Sequence, residues 1–178
     1  MKRLFVALDL PVDVLTQLQS VGGGIPGAKW VSPDRMHLTL SFIGEVSNTM
    51  LEEISFELSR IRANVFTIQL EGVDIFSNRK QAHTLWARVS KSSELMSLQA
   101  RIETSLLQKK LLPTRRKYIP HVTLARLRRT SHRALEEFLI RYSSLQTPII
   151  SVKSFKLYSS HLSRSGPYHQ IEAVYSLD

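Results

Sequence analysis

Cysteine is absent from this sequence. With it go a disulfide framework, a thiolate metal site and a cysteine nucleophile, so any chemistry falls to histidine and hydroxyl side chains. The absence fits a reducing compartment. Nor does any low-complexity segment or proline- and glycine-rich linker divide the chain. The one glycine cluster, VGGGIPGAKW at 21–30, reads as a loop leading into a strand. A single domain over 1–178 is expected, long enough to bury roughly two-thirds of its unfolded surface. A long apolar run is missing too: the opening KRLFVALDLP is interrupted by Asp9 and Pro11, too early for a signal sequence or a membrane span. The expectation is a cytoplasmic protein without a membrane partner. Carboxylates are the scarce charge, 15 against 24 lysines and arginines, giving a net charge of +9 and a pI near 10.1. Such a balance favours polyanionic partners, because basic side chains neutralise phosphates and release counterions.

Short runs rich in branched and aromatic residues predict strands at 3–10, 28–31, 36–43, 65–76, 83–89, 119–126, 149–159 and 168–177. Helical stripes lie between them. Thr49 and Glu52 form a capping box ahead of Leu51, Ile54, Leu58 and Ile61. Leu95, Leu98, Ile102 and Leu106 make a second stripe, Leu135, Phe138, Leu139 and Tyr142 a third, and a shorter helix follows Pro11.

The element order repeats around one motif. The chain reads HLTL at 37–40 and, eighty-four positions later, HVTL at 121–124. Counting from each histidine, a helix follows, then a strand opening 28 residues on, then another 46 or 47 residues on, at His83 and Tyr168. This duplication predicts an α+β fold: two antiparallel sheets with flanking helices, in two lobes related by a pseudo-twofold axis around a central cleft.

Side chains alternate along a strand, so each motif offers an imidazole and a hydroxyl on one face, with apolar residues on the other. Pro120 reinforces this by favouring extended geometry before it. One HxT is simply a histidine and a threonine on a polar sheet face; two at equivalent points of a repeat suit a tetrahedral anion. One imidazole, neutral, can take a proton from water while the other, protonated, gives one to a leaving oxygen. The hydroxyls of Thr39 and Thr123 can hold the non-bridging oxygens. That is acid-base phosphodiester cleavage. A metal site is the competing reading, but no carboxylate or further histidine stands at ligand spacing beside either motif, so no metal and no cofactor are expected.

The sequence resembles the 2H phosphoesterases, and within them the bacterial and archaeal RNA 2',3'-cyclic phosphodiesterases, historically called 2'-5' RNA ligases. HLTLSFIGEV and PHVTLAR are the most specific segments, and RLFVALDLP, AKWVSPDRM, TLWARV and KLYSSHL extend the likeness over nearly the whole chain. The resemblance implies a bilobal fold and metal-free opening of a 2',3'-cyclic phosphate to a 2'-phosphate. It implies His37 as general acid for the 3'-oxygen, His121 as general base for water, and Thr39, Thr123 and Arg126 as phosphate contacts. Alternation brings Arg126 to the cleft only if its strand bends or ends there.

Phe76 and Tyr158, at loop mouths, are candidates for stacking on a nucleobase. Arg115, Arg116 and Lys117 precede the second motif and can steer RNA phosphates. His161, His169 and Arg164 are candidate substrate contacts in the last loop, whereas Phe42 falls on the core parity of its strand and His132 on an exposed helix. His83 stands next to Thr84, on the opposite face from it. RNA with a cyclic phosphate end, or a related nucleotide, is the expected partner of a monomer. Ligation at the same site, a small cyclic nucleotide as substrate, and a non-catalytic RNA binder are the alternatives.

Overall fold

The fold is described from a computed structural model, for all residues except 79–80, 113–116 and 164–165, and without the side chains at 163, 166 and 167. Arg115, Arg116 and Arg164 therefore lie outside the described residues. The strands are β1 (Lys2–Leu8), β2 (Ala28–Trp30), β3 (Leu38–Val46), β4 (Phe66–Ile68), β5 (Leu70–Asn78), β6 (Gln81–Val89), β7 (His121–Leu127), β8 (Ile150–Val152), β9 (Ser154–Ser163) and β10 (Gly166–Ser176). The helices are α1 (Val12–Val21), α2 (Asn48–Ser59), α3 (Ser93–Gln108) and α4 (His132–Arg141), with one turn of 3₁₀ helix at Pro33–Arg35. The expected α+β class and bilobal, pseudo-twofold arrangement are present. Two predicted strands, at 65–76 and 149–159, are each split in two; β4 and β8 peel away to pair with one another in a small second sheet.

The main sheet runs β10-β9-β1-β3-β7-β6-β5, with β2 added beside β7. Its halves meet at one residue pair, Leu38 opposite Val122, antiparallel. Each of these residues follows a motif histidine, so the pairing is itself twofold symmetric, and both side chains are fully buried. Around this centre β1 flanks β3 as β6 flanks β7, and β9 lies outside β1 as β5 lies outside β6. The strand 46 residues after His37 thus occupies the place of β1, while the strand 47 residues after His121 is an additional edge strand. The sequence repeat equates β6 with β10; the sheet equates β6 with β1.

Helix stripes face the sheet as the spacing requires: Leu95, Leu98, Ile102 and Leu106 of α3 are fully buried, as are Ile54 and Leu58 of α2. Each such side chain contributes about 1.5–3 kcal/mol of burial free energy. The capping box at Thr49 does not form. Ser47, the first hydroxyl after β3 ends, caps α2 by accepting the Met50 N–H at 3.2 Å, and Thr49 lies inside the helix. Ser92 and Ser131 cap α3 and α4 in the same way.

Candidate active site

His37 ends the turn leading into β3, and His121 opens β7. Continued by one residue in each direction, the Leu38–Val122 pairing puts His37 across from Thr123 and Thr39 across from His121. The four polar side chains form a quadrilateral, histidines on one diagonal and threonines on the other. Electrostatic coupling between the two imidazoles reflects their proximity.

Both strands depart from simple alternation at the same place. Trp86 and Leu85, adjacent on β6, pair with Thr123 and Ala125, so Leu124 is an extra residue in β7. Val6 and Ala7 of β1 pair with Ser41 and Thr39, so Leu40 is the extra residue in β3. Such bulges shift the side-chain parity by one. Arg126 is thereby returned to the face of His121 and Thr123. Its guanidinium donates to Thr84 Oγ1 at 2.8 Å and lowers the proton affinity of His121. The same shift overturns the expectation that Phe42 is core. Phe42 is 65% exposed, and its ring lies 6.3 Å from Phe5, which stacks on His37 at 4.8 Å. Phe42 and Arg126 are equivalent positions of the two motifs, five residues past each histidine. A second bulge, at Ile43, is followed by Gly44 at φ +99°, a conformation open to glycine and strained for other residues.

Aromatic rings back each histidine. In one lobe Phe5 stands between His37 and Tyr158, stacked on both. In the other Trp86 and Phe76 stack at 4.7 Å and both meet His121 edge to face. Phe76 and Tyr158, expected as nucleobase platforms, are here parts of the ring stacks behind the imidazoles. Tyr158 donates to Asp9, which also pairs with Lys156; burial and Asp9 raise the Tyr158 hydroxyl above its ordinary range. Lys117 is an exposed loop residue. Beside it Tyr118 crosses between the lobes to donate to the Thr39 carbonyl at 3.2 Å. His161 is turned away: its Nε2 meets Ser159 Oγ at 2.8 Å and its ring stacks on Tyr168. Ser159 in turn donates to Glu172, the partner of Lys2. Alternation along β9 sets this partly buried network on the face opposite Tyr158.

His121 Nδ1 donates to the Ile119 carbonyl at 2.7 Å, since a carbonyl can only accept, which leaves Nε2 with the lone pair when the ring is neutral. His37 makes the equivalent backbone hydrogen bond at Arg35, also two residues upstream. Burial lowers the proton affinity of both rings. His37 is pushed down to about 4 by burial first and then by His169, against the Arg35 backbone and the Asp9 carboxylate, with His121 a smaller downward influence. His169 stands edge-on to His37 at 5.3 Å, and to Phe5 at 4.9 Å. It is lowered by burial and by Arg35, against Asp34.

Asp9, Arg35 and Trp86 carry no signal of a site in the sequence beyond an acid at the end of an apolar strand; His169 is expected as a substrate contact, and its place beside His37 carries no signal there. Removing the positive neighbour has a defined sign: His169→Gln raises the titration point of His37, which nevertheless stays below 6.5 because burial is the larger cause. A proton NMR titration of the His37 ring reads this directly, and an unmoved or lowered value would contradict the coupling.

The model of the LigT-like phosphoesterases matches residues 8–86 and 89–169, one stretch for each HxT motif. The chain is 31% identical to an RNA 2',3'-cyclic phosphodiesterase of Archaeoglobus fulgidus over 172 residues, 94% of this chain and 96% of that one. It is 32% identical to the enzyme of the same description from Aeropyrum pernix over 149 residues, 83% and 84% of the two chains. In fold it matches E. coli LigT, solved with 3'-AMP, with a TM-score of 0.80 at 24% identity, over 99% of this chain and 98% of that one. The chain belongs to the LigT-like phosphoesterase family.

Proposed function

We propose that the protein hydrolyses the 2',3'-cyclic phosphate end of RNA to a 2'-phosphate, with His37 as general acid and His121 as general base. The observation that carries this reading is the antiparallel pairing at Leu38 and Val122, which makes one twofold quartet of both HxT motifs. His121 Nε2 takes a proton from water as the water oxygen bonds to phosphorus. The P–O3' bond breaks opposite it, His37 delivers a proton to O3', and the phosphate stays on O2'. Thr39, Thr123 and Arg126 hold the non-bridging oxygens, where negative charge persists throughout.

The nearest charges differ in sign, Arg126 disfavouring a proton on His121 and Asp9 favouring one on His37, but burial and His169 outweigh Asp9 and hold the free His37 ring at about 4. The acid role therefore requires the bound substrate. An arriving phosphate anion adds to the pull on the His37 proton. Both free imidazoles lie below the ordinary value of 6.5. The kcat/KM profile is therefore expected to be a bell with its maximum on the acid side of that value, its limbs belonging to the coupled pair.

Acid, base and anion contacts are all protein groups, so activity should continue in the presence of a chelator. RNA ending in a 2',3'-cyclic phosphate, incubated with EDTA and followed by phosphorus NMR, tests this. A 2'-phosphate product is expected; loss of activity with rescue by zinc or manganese would overturn the metal-free mechanism.

Phe42, exposed beside the His37 stack, is the surface we assign to the nucleobase. Stacking of a base on an aromatic ring is worth about 1–3 kcal/mol, so Phe42→Ala is expected to lower kcat/KM roughly 5- to 150-fold while thermal stability is unchanged. Equal kcat/KM for the two proteins would remove the assignment. Both motifs stand on one chain, and the reading needs no second copy: a cytoplasmic monomer completes it, and sedimentation reads the oligomeric state.

A further inference from the structure

A cavity of about 630 Å³ opens where the β5–β6 hairpin meets the end of β7, lined by Asn78, Gln81, His83, Arg128 and Arg129 among others. It is separate from the quartet, and nothing in the proposed chemistry uses it. Three features bear on its occupant. Its charged lining is of one sign, two guanidinium groups, beside an imidazole and amide side chains and, among the described residues, no carboxylate. Among those residues neither arginine is ion-paired, and both are exposed. Unsatisfied cations that converge on a concave surface attract an anion.

The turn that carries them is held in place. Gly27, at φ +81°, offers its carbonyl to the Arg128 N–H at 3.3 Å, and a Cβ there would lie 2.6 Å from the Arg128 carbonyl oxygen. Arg129 itself sits at φ +49°, a conformation that a non-glycine residue keeps only when its surroundings impose it.

The third feature is the connection to the phosphate site. Thr84, 1% exposed, lies directly opposite Arg126 in the β6–β7 ladder. Its Oγ1 accepts from Arg126 at 2.8 Å and meets His83 Nδ1 at 2.9 Å. The expected opposite facing of His83 and Thr84 does not hold, because His83 is an extra residue of β6 between the partners of Phe76 and Ser77. The contacts to Arg126 and His83 share Thr84 Oγ1, so His83 Nδ1 lies within about 6 Å of the Arg126 guanidinium, inside the span of one nucleotide, and His83 lines the cavity. The cavity is open to solvent along one side, and its volume exceeds what a lone phosphate fills.

We propose that this cavity receives the nucleotide immediately upstream of the cyclic end of an RNA chain, with Arg128 and Arg129 taking the oxygens of the phosphodiester that joins the two. The subsite rests on the phosphodiesterase reading above and deepens it: the enzyme is built for an oligonucleotide end, and a mononucleoside cyclic phosphate fills half of its site. His83 joins the subsite to Arg126 through Thr84.

The test compares a dinucleotide ending in a 2',3'-cyclic phosphate with a mononucleoside 2',3'-cyclic phosphate, using the wild-type protein, Arg128→Gln, Arg129→Gln and the double variant. Wild type is expected to favour the dinucleotide at least about tenfold in kcat/KM, as a charge-assisted contact to phosphate implies. The double variant is expected to lose that preference, with mononucleoside turnover within about twofold of wild type. For a longer RNA, the salt dependence of binding to the double variant is expected to become shallower by about 0.7 for each phosphate no longer neutralised. Equal loss on both substrates, or loss on neither, overturns the subsite. Failure of the wild type on both substrates overturns the phosphodiesterase reading instead. The subsite is then read from calorimetric binding of a dinucleotide carrying a 2'-phosphate end, where equal affinity for wild type and double variant overturns it. Matching circular dichroism and Tm confirm that the exposed arginines were removed without loss of fold.

Discussion

His37→Ala and His121→Ala are each expected to slow the opening of an RNA 2',3'-cyclic phosphate by at least about 10²-fold, the loss that follows removal of a positioned acid or base. The double variant should be little slower than either single one, because the two rings serve one proton-transfer event and removing either member already disables it. Single-turnover rates for the three variants and wild type make the measurement. Losses that multiply in the double variant would mean that the rings act in separate steps. Folding does not confound the comparison: both rings line the cleft face and are only partly buried, while the residues that join the lobes, Leu38 and Val122, stay in place.

Replacing the 3'-oxygen of the cyclic substrate by sulfur is expected to restore most of the activity of His37→Ala and little of that of His121→Ala. A thiolate leaves without prior protonation, the thiol pKa being about 8.5 and far below that of an alcohol, so the general acid becomes dispensable. Water must still be deprotonated, so the general base does not. The chemical product carries the same information in another form: with the acid beside O3', the phosphate remains on O2'. Equal rescue of the two variants, or rescue of His121→Ala alone, would reverse the roles assigned here. A 3'-phosphate product would do the same for a ribose bound in the same pose.

The quartet was legible because its signal is local. Two residues of one face, written twice with a common downstream order, survive any uncertainty about how the strands pair. Phe42 was misread because alternation assumes an unbroken pleat. The extra residues at Leu40 and Leu124 invert the parity of everything after them, and leucine carries no mark of a bulge. Arg126 reaches the cleft face through the same event, the bend on which its placement was conditional. The cap of α2 was misplaced by two residues, since Ser47 and Thr49 are both competent hydroxyls and the end of β3 decides between them. The ring of His169 beside His37 is a contact between strands far apart in the chain, and no spacing rule reaches it. His161, eight residues earlier and of the same chemistry, points to the other face. Position on β9 and β10, rather than residue type, separates the two.

The strand order also governs how the chain is made. β1 leaves the ribosome well before β9, at residues 154–163, which is one of its two neighbours in the sheet. Until that strand emerges, Phe5 lacks the ring of Tyr158, and one edge of β1 is an unpaired row of backbone donors and acceptors. β5, from the first half, meanwhile pairs with β6 beside the second motif, so neither half closes its sheet with its own strands alone. High contact order of this kind slows folding and prolongs the exposure of strand edges. The nascent first half must wait, with that edge open, until residues 154–163 have been synthesised.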